Sequence, residues 1–152
     1  MRAWLETHGK AIQALAAFVT MVAAVAALIG VKVQIDANAR QQREQSARDI
    51  YREFLNLSIA NPGLADPDYC GLRAEGKGTV YENYVEYLLY TGEQVIAADR
   101  GWEPTMDEHM LAHEQYLCAG RDWSGDSAEV RGLITRFQAR HCRKPVAPCP
   151  QP

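Results

Sequence analysis

The sequence predicts an all-α protein, with one N-terminal transmembrane helix continuing into a stalk helix and then a small helical domain of about three further helices. Three observations carry this. Residues 11–31, AIQALAAFVTMVAAVAALIGV, hold no charge. No later run alternates apolar and polar residues with period two, so no strand is expected. Three downstream segments open on a capping residue and continue with apolar residues at helical spacing.

The chain of 152 residues has room for one span and one domain. It divides into a short tail at 1–10, the span at 11–31, a basic stalk at 32–48, an acidic domain at 49–142 and a proline-rich tail at 143–152. Twenty-one residues at 1.5 Å each make a helix of about 31 Å, matching a hydrocarbon layer of roughly 30 Å. Residues such as Leu15, Phe18, Val22, Leu28 and Ile29 together favour insertion by a few kcal/mol, about 0.3 to 0.6 kcal/mol each. Ala23, Ala24, Ala26 and Ala27 resemble a signal-peptide cleavage site, which is the competing reading. The apolar run continues past them to Val31, and the chain beyond lacks Pro or Gly until Pro62, so an uncleaved anchor is expected.

Orientation rests on flanking bases: Arg2, Lys10 and the terminal amine on one side, Lys32, Arg40, Arg43 and Arg48 on the other. The margin is narrow and favours a cytoplasmic rather than periplasmic domain, with the stalk against anionic headgroups. Within the span, Gln13, Ala16, Thr20, Ala23, Ala27 and Gly30 form a small-residue seam that permits a helix–helix contact in the membrane.

From Asp36 to Ala60 the chain is rich in Ala, Arg, Gln and Glu, strong helix formers. Ala47, Ile50, Phe54 and Leu57 fall on one stripe, so burial is expected to begin near Ala47. Asn61-Pro62 ends the helix, because the residue before proline is pushed out of the α region. Residues 63–78, GLADPDYCGLRAEGKG, read as a loop, and their glycine spacing fits no phosphate-binding fingerprint. Thr79 with Glu82, Thr105 with Glu108, and Asp126 with Glu129 are the three expected capping boxes. The second helix is expected to bury Val80, Tyr84, Tyr87, Leu88, Thr91 and Val95, and the last to bury Val130, Leu133, Ile134 and Phe137. Gly101 with Pro104, and Gly120 with Gly125, separate the helices.

The stretch ARDIYREFLNLSIANPGLA, then YENYVEYLLYTGEQVI, Trp102 and the closing amphipathic helix resembles small bacterial single-pass membrane proteins with a helical domain of unknown function. The likeness spans roughly residues 33–140 and consists of packing and capping patterns. It implies a bacterial inner-membrane location and brings no catalytic residues with it.

Charge narrows the function classes. Between Asp49 and Cys142 there are sixteen Asp or Glu against eight Lys or Arg, a net of −8, whereas Lys32 to Arg48 carries four bases against two acids. An acidic domain repels phosphate backbones, so nucleic-acid binding is excluded. His109 and His113 share a helix face and have the spacing to grip one metal, but they lack the adjacent Glu of a zinc-protease helix. They are read as ordinary surface or boundary histidines.

Cys70, Cys118, Cys142 and Cys149 form no CxxC. In a cytoplasmic domain they are thiols. In an oxidising compartment three pairings are open, of which Cys142–Cys149 closes the shortest loop.

Tyr81, Tyr84, Tyr87 and Tyr90 wind around one helix, with Tyr84 and Tyr87 expected in the core and Tyr81 and Tyr90 nearer the surface. Ser124 in DWSGD is not a nucleophile elbow, and Asp107 and Glu108 suit a helix N-terminus. No catalytic residue, cofactor site or metal site is therefore expected. The expected role is a non-enzymatic accessory or adaptor protein acting through protein–protein contacts at the lipid bilayer; a membrane-tethered thiol- or metal-dependent sensor is the alternative.

Overall fold

A computed structural model describes the backbone of residues 2–143 and Cys149, with side chains from Gln13 onward. All described regular structure is helical, as the composition and periodicity require. Helix α1 runs from Arg2 to Ala60, so residues 1–10, expected as a tail, carry helical backbone from Arg2. Of the proline-rich tail, only Arg143 and Cys149 fall within the described residues. The chain forms two compact units, Met1–Gln42 and Arg43–Pro152.

In the first unit the helix from Gln13 on is long and apolar enough to cross a membrane, and none of its apolar window is buried within the protein. Leu15 and Leu28 are about 70% exposed, at 69% and 71%. The Thr20 hydroxyl donates to the Ala16 carbonyl one turn back, at 2.9 Å, so this polar side chain on the seam is satisfied inside its own helix.

In the second unit the last turns of α1 pack on the domain. Ala47 and Phe54 are buried as expected and Ile50 is half-buried, but Leu57 is exposed, and Tyr51, Leu55 and Ser58 are half-buried as well. The covered arc widens to take in Tyr51 and Ser58, whose hydroxyl meets the Tyr84 hydroxyl at 2.6 Å. The Asn61 side chain donates to the Leu57 carbonyl at 2.9 Å, and Pro62 opens the next helix, so the termination occurs where Asn61-Pro62 places it.

The expected loop at 63–78 is partly helical: α2 spans Pro62–Ala65 and α3 spans Tyr69–Ala74. Asp68 caps α3 by accepting from the Gly71 amide at 3.0 Å, and Gly76 at φ 74° follows its end. Turn-forming residues thus serve as caps for single turns of helix.

Helix α4, Gly78–Ala98, is the centre of the domain, with α3, α5 and α7 packed around it and Phe54 of α1 against its Tyr84. It buries Tyr81, Tyr84, Val85, Leu88, Leu89, Thr91, Gly92 and Val95, while Val80 is exposed and Tyr87 half-buried. The expected placing of Tyr81 near the surface is corrected. A helix touched from several sides buries a wider arc than one amphipathic stripe predicts.

A 3-10 turn at Arg100–Trp102 leads into α5, Glu103–Leu111; α6 is Glu114–Leu117 and α7 is Ala128–His141. None of the three capping boxes forms as expected. Helix α4 starts one residue before Thr79, with no side-chain cap. Helix α5 starts at Glu103 with Pro104 in its first turn. The cap of α7 is Ser127 rather than Asp126, accepting from the Val130 amide at 3.1 Å. The expected face of α7 is borne out, with Val130, Leu133, Ile134 and Phe137 all buried.

Two disulfides close the domain: Cys70–Cys149, and Cys118–Cys142. The expected thiols and the suggested Cys142–Cys149 pairing are both corrected. Cys118 follows α6 and Cys142 caps α7, two elements in contact, which brings their Cα atoms to 5.4 Å.

Candidate functional site

Of the two histidines expected at the surface or boundary, His109 sits at the boundary and His113 lies inside. His113 is 2% exposed at the junction of α5 and α6, and its Nδ1 faces the Tyr81 hydroxyl at 2.9 Å. His109 is half-buried, its Nε2 facing the Tyr51 hydroxyl at 3.0 Å and its ring standing edge-on to Phe54. Burial drives both imidazoles toward the neutral form. His113 is pushed down to about 4 by burial first and by neighbouring His109 second, with Asp66 opposing weakly. His109 is lowered by burial, opposed by Glu108. Burial likewise raises the Tyr81 hydroxyl, which keeps its proton for the hydrogen bond.

These contacts occupy one nitrogen of each ring with a tyrosine, on α1 for His109 and on α4 for His113. The pair thus ties α5 and α6 to the two helices they cover. Among the described residues no three His, Cys, Asp or Glu side chains gather as a metal-binding group. All four cysteines are in disulfides, so none offers a thiolate.

Next to this junction lies an aromatic cluster. Tyr116 stands edge-on to Tyr69, Tyr81 and Trp123, with centroids 5.5, 5.5 and 6.0 Å away. The Arg121 guanidinium covers the rings of Tyr116 and Trp123. Gln115 approaches the sulfur of Cys70 at 3.2 Å, so the cluster and the Cys70–Cys149 bridge share a neighbourhood. The tyrosine winding on α4 is therefore chiefly core at Tyr81 and Tyr84, and only Tyr90, 48% exposed, meets solvent broadly.

An open groove of about 460 Å³ runs between α4 and α7. Ile96 and Leu133 contribute its apolar lining, and Gly92 and Gly132 contribute no side chain. The two glycines differ physically. A Cβ at Gly92 would meet Leu133 at 3.0 Å and Met106 at 3.6 Å, so close helix packing requires that glycine. A Cβ at Gly132 would meet only the tip of Arg136, at 3.4 Å. Glu93 accepts from the Ser127 hydroxyl at 2.9 Å at one end of the groove, and Glu103 accepts from Arg136 at 3.1 Å at the other.

Beyond that end, Arg140 and His141 both bond Asp107, at 2.8 and 2.9 Å. Asp107 therefore holds α5 to α7, a role its reading as a helix N-terminal acid did not include. The remaining sequence candidates have local duties. The Ser124 hydroxyl and amide bond the Asp122 carboxylate at 3.0 and 2.9 Å, which holds that carboxyl below its usual range. Gly71 and Gly76 belong to the start and end of α3.

The groove was missed in the sequence because its lining comes from separate helices. No family model, curated protein or solved structure matches this chain. Its class, among the described residues, is that of an all-α protein with one helix long and apolar enough to cross a membrane.

Proposed function

We propose that the protein is a single-pass membrane anchor carrying a disulfide-stapled helical domain on the oxidising side of the membrane, where the domain acts as a binding accessory for another protein. One observation carries this reading: an unburied apolar helix is followed in the same chain by a domain whose four cysteines are all paired. Disulfides persist in oxidising compartments and are rare in cytosolic proteins. That outweighs the narrow margin of flanking bases, which favoured the cytoplasm.

The test uses spheroplasts of cells producing the full chain. Alkaline carbonate should leave the protein in the membrane pellet, and an impermeant maleimide should label the cysteines only after reduction. Recovery of a soluble chain that begins beyond Ala27, or cysteines labelled only after lysis and without reductant, would overturn the proposal.

A further inference from the structure

The two disulfides differ in what else holds their ends together. Cys118 caps α6 and Cys142 caps α7, and both pack against the hydrophobic core. The Gln138 side chain donates to the Leu117 carbonyl at 2.8 Å beside them, so packing and hydrogen bonding hold these ends together independently of the S–S bond. Cys70 and Cys149 stand outside that core among the described residues. Cys70 sits in α3, whereas Cys149 belongs to no helix and lies seven residues past Cys142. The Cys70–Cys149 bridge therefore joins a sulfur fixed on a helix to one outside regular structure. A disulfide stabilises chiefly by constraining the unfolded chain, so opening this one leaves the native core packed.

The two sulfurs of that bridge are also chemically unequal. Gln115 Nε2 donates to Cys70 Sγ at 3.2 Å. In thiol–disulfide exchange a thiolate attacks one sulfur while the other leaves with the electron pair, and a stabilised leaving thiolate departs faster. A hydrogen-bond donor on Cys70 Sγ stabilises that departing charge. Attack is thereby directed to Cys149.

We infer that Cys70–Cys149 is a redox-exchanging bridge, opened by a protein dithiol that attacks Cys149, while Cys118–Cys142 remains a staple. The partner's thiolate bonds to Cys149 Sγ, the Cys70–Cys149 S–S bond breaks, and its electron pair leaves on Cys70 Sγ beside Gln115. The partner's second thiol gives its proton to solvent and, as a thiolate, attacks the partner sulfur of the mixed disulfide. Cys149 leaves as a thiolate, both cysteines take up protons, and the partner departs with its own disulfide. Two electrons thus pass from the dithiol to the bridge, and the same steps in reverse restore it. The inference rests on the exported, disulfide-bonded reading of the domain and gives its binding role a chemistry.

The experiment uses the full chain, purified oxidised in detergent. Limiting dithiothreitol is the dithiol probe, followed by acid quench, alkylation and mass spectrometry of each cysteine. Cys70 and Cys149 should be freed at least about tenfold faster than Cys118 and Cys142, with the helical circular dichroism retained. Reduced glutathione, a monothiol, should give a mixed disulfide on Cys149 and a free, alkylatable Cys70. Gln115→Leu removes the donor and should slow the opening about tenfold, the worth of a hydrogen bond to a charged group. It should also spread glutathione over both cysteines, while Cys118–Cys142 opens at its original rate.

Simultaneous opening of both bridges, or opening of Cys70–Cys149 only together with unfolding, would make it a staple like the other and overturn the inference. So would glutathione on Cys70 of the wild type, or an unchanged rate and site of attack in the Gln115 variant. Each of these leaves the membrane-anchor reading intact, because carbonate extraction and maleimide labelling of cells decide that separately.

Discussion

Lowering the pH should destabilise the domain through His113. The imidazole is buried among Tyr81, Tyr84 and the rest of the α5–α6 junction, and its pKa in the folded protein is pushed down to about 4, against 6.5 for the free side chain. In the unfolded chain it takes up a proton as the pH falls through 6.5, while in the folded chain it stays neutral until about 4. The unfolded state therefore gains protons first, and stability present above pH 6.5 is lost progressively down to about pH 4. At about 1.4 kcal/mol per pH unit over that window, the loss is about 3 kcal/mol. The assay is urea unfolding of the disulfide-intact chain in detergent at a series of pH values, compared with His113→Gln, which keeps a hydrogen-bonding side chain near Tyr81 without the titration. Carboxylates that titrate at the acid end are common to both proteins, so the difference between the two curves isolates His113. Wild type should lose about 3 kcal/mol more than the variant across the window. Parallel curves would refute the reasoning.

Four further outcomes follow from the packing. Phe54→Ala, at a side chain 1% exposed, should cost about 3 to 5 kcal/mol in denaturant unfolding, whereas Leu57→Ala, 36% exposed, should cost far less. Replacing both Cys118 and Cys142 with Ser opens a bridge across 24 positions and should remove about 3 kcal/mol; doing so for Cys70 and Cys149, 79 apart, about 4 to 5 kcal/mol, both read from thermal unfolding without reductant. Gly132→Ala should stabilise α7 by roughly 0.5 to 1 kcal/mol, while Gly92→Ala, whose new carbon presses on Leu133, should destabilise; a calorimetric comparison of the two checks the sign. Val22→Arg should add roughly 2.5 to 3.5 kcal/mol to insertion, comparable with the whole apolar gain of the span, and should move the chain from the carbonate pellet to the supernatant.

The sequence alone settled whatever depends on residues close in the chain. Insertion free energy sums over consecutive side chains, so an apolar helix of membrane-spanning length was legible from residues 11–31. Helix propensity and the Asn61-Pro62 stop were enough to end α1 at Ala60, and the apolar period of α7 named all four of its buried residues. Tertiary structure decided which arc of each helix is covered, since neighbours on several sides of α4 bury Tyr81 and leave Val80 in solvent, a difference of one 100° step. It also decided the fate of the chemistry-bearing side chains. His113 reads the same in sequence whether it faces water or Tyr81, and only the crossing of α4 with the α5–α6 junction makes it a buried neutral base. Cysteine pairing likewise depends on which Cα atoms approach within bridging distance, not on loop length, so Cys142 joins Cys118 rather than nearby Cys149. The groove marks the boundary between the two: each helix carries its own share of the lining in sequence, but the trough exists only once α4 and α7 pack side by side.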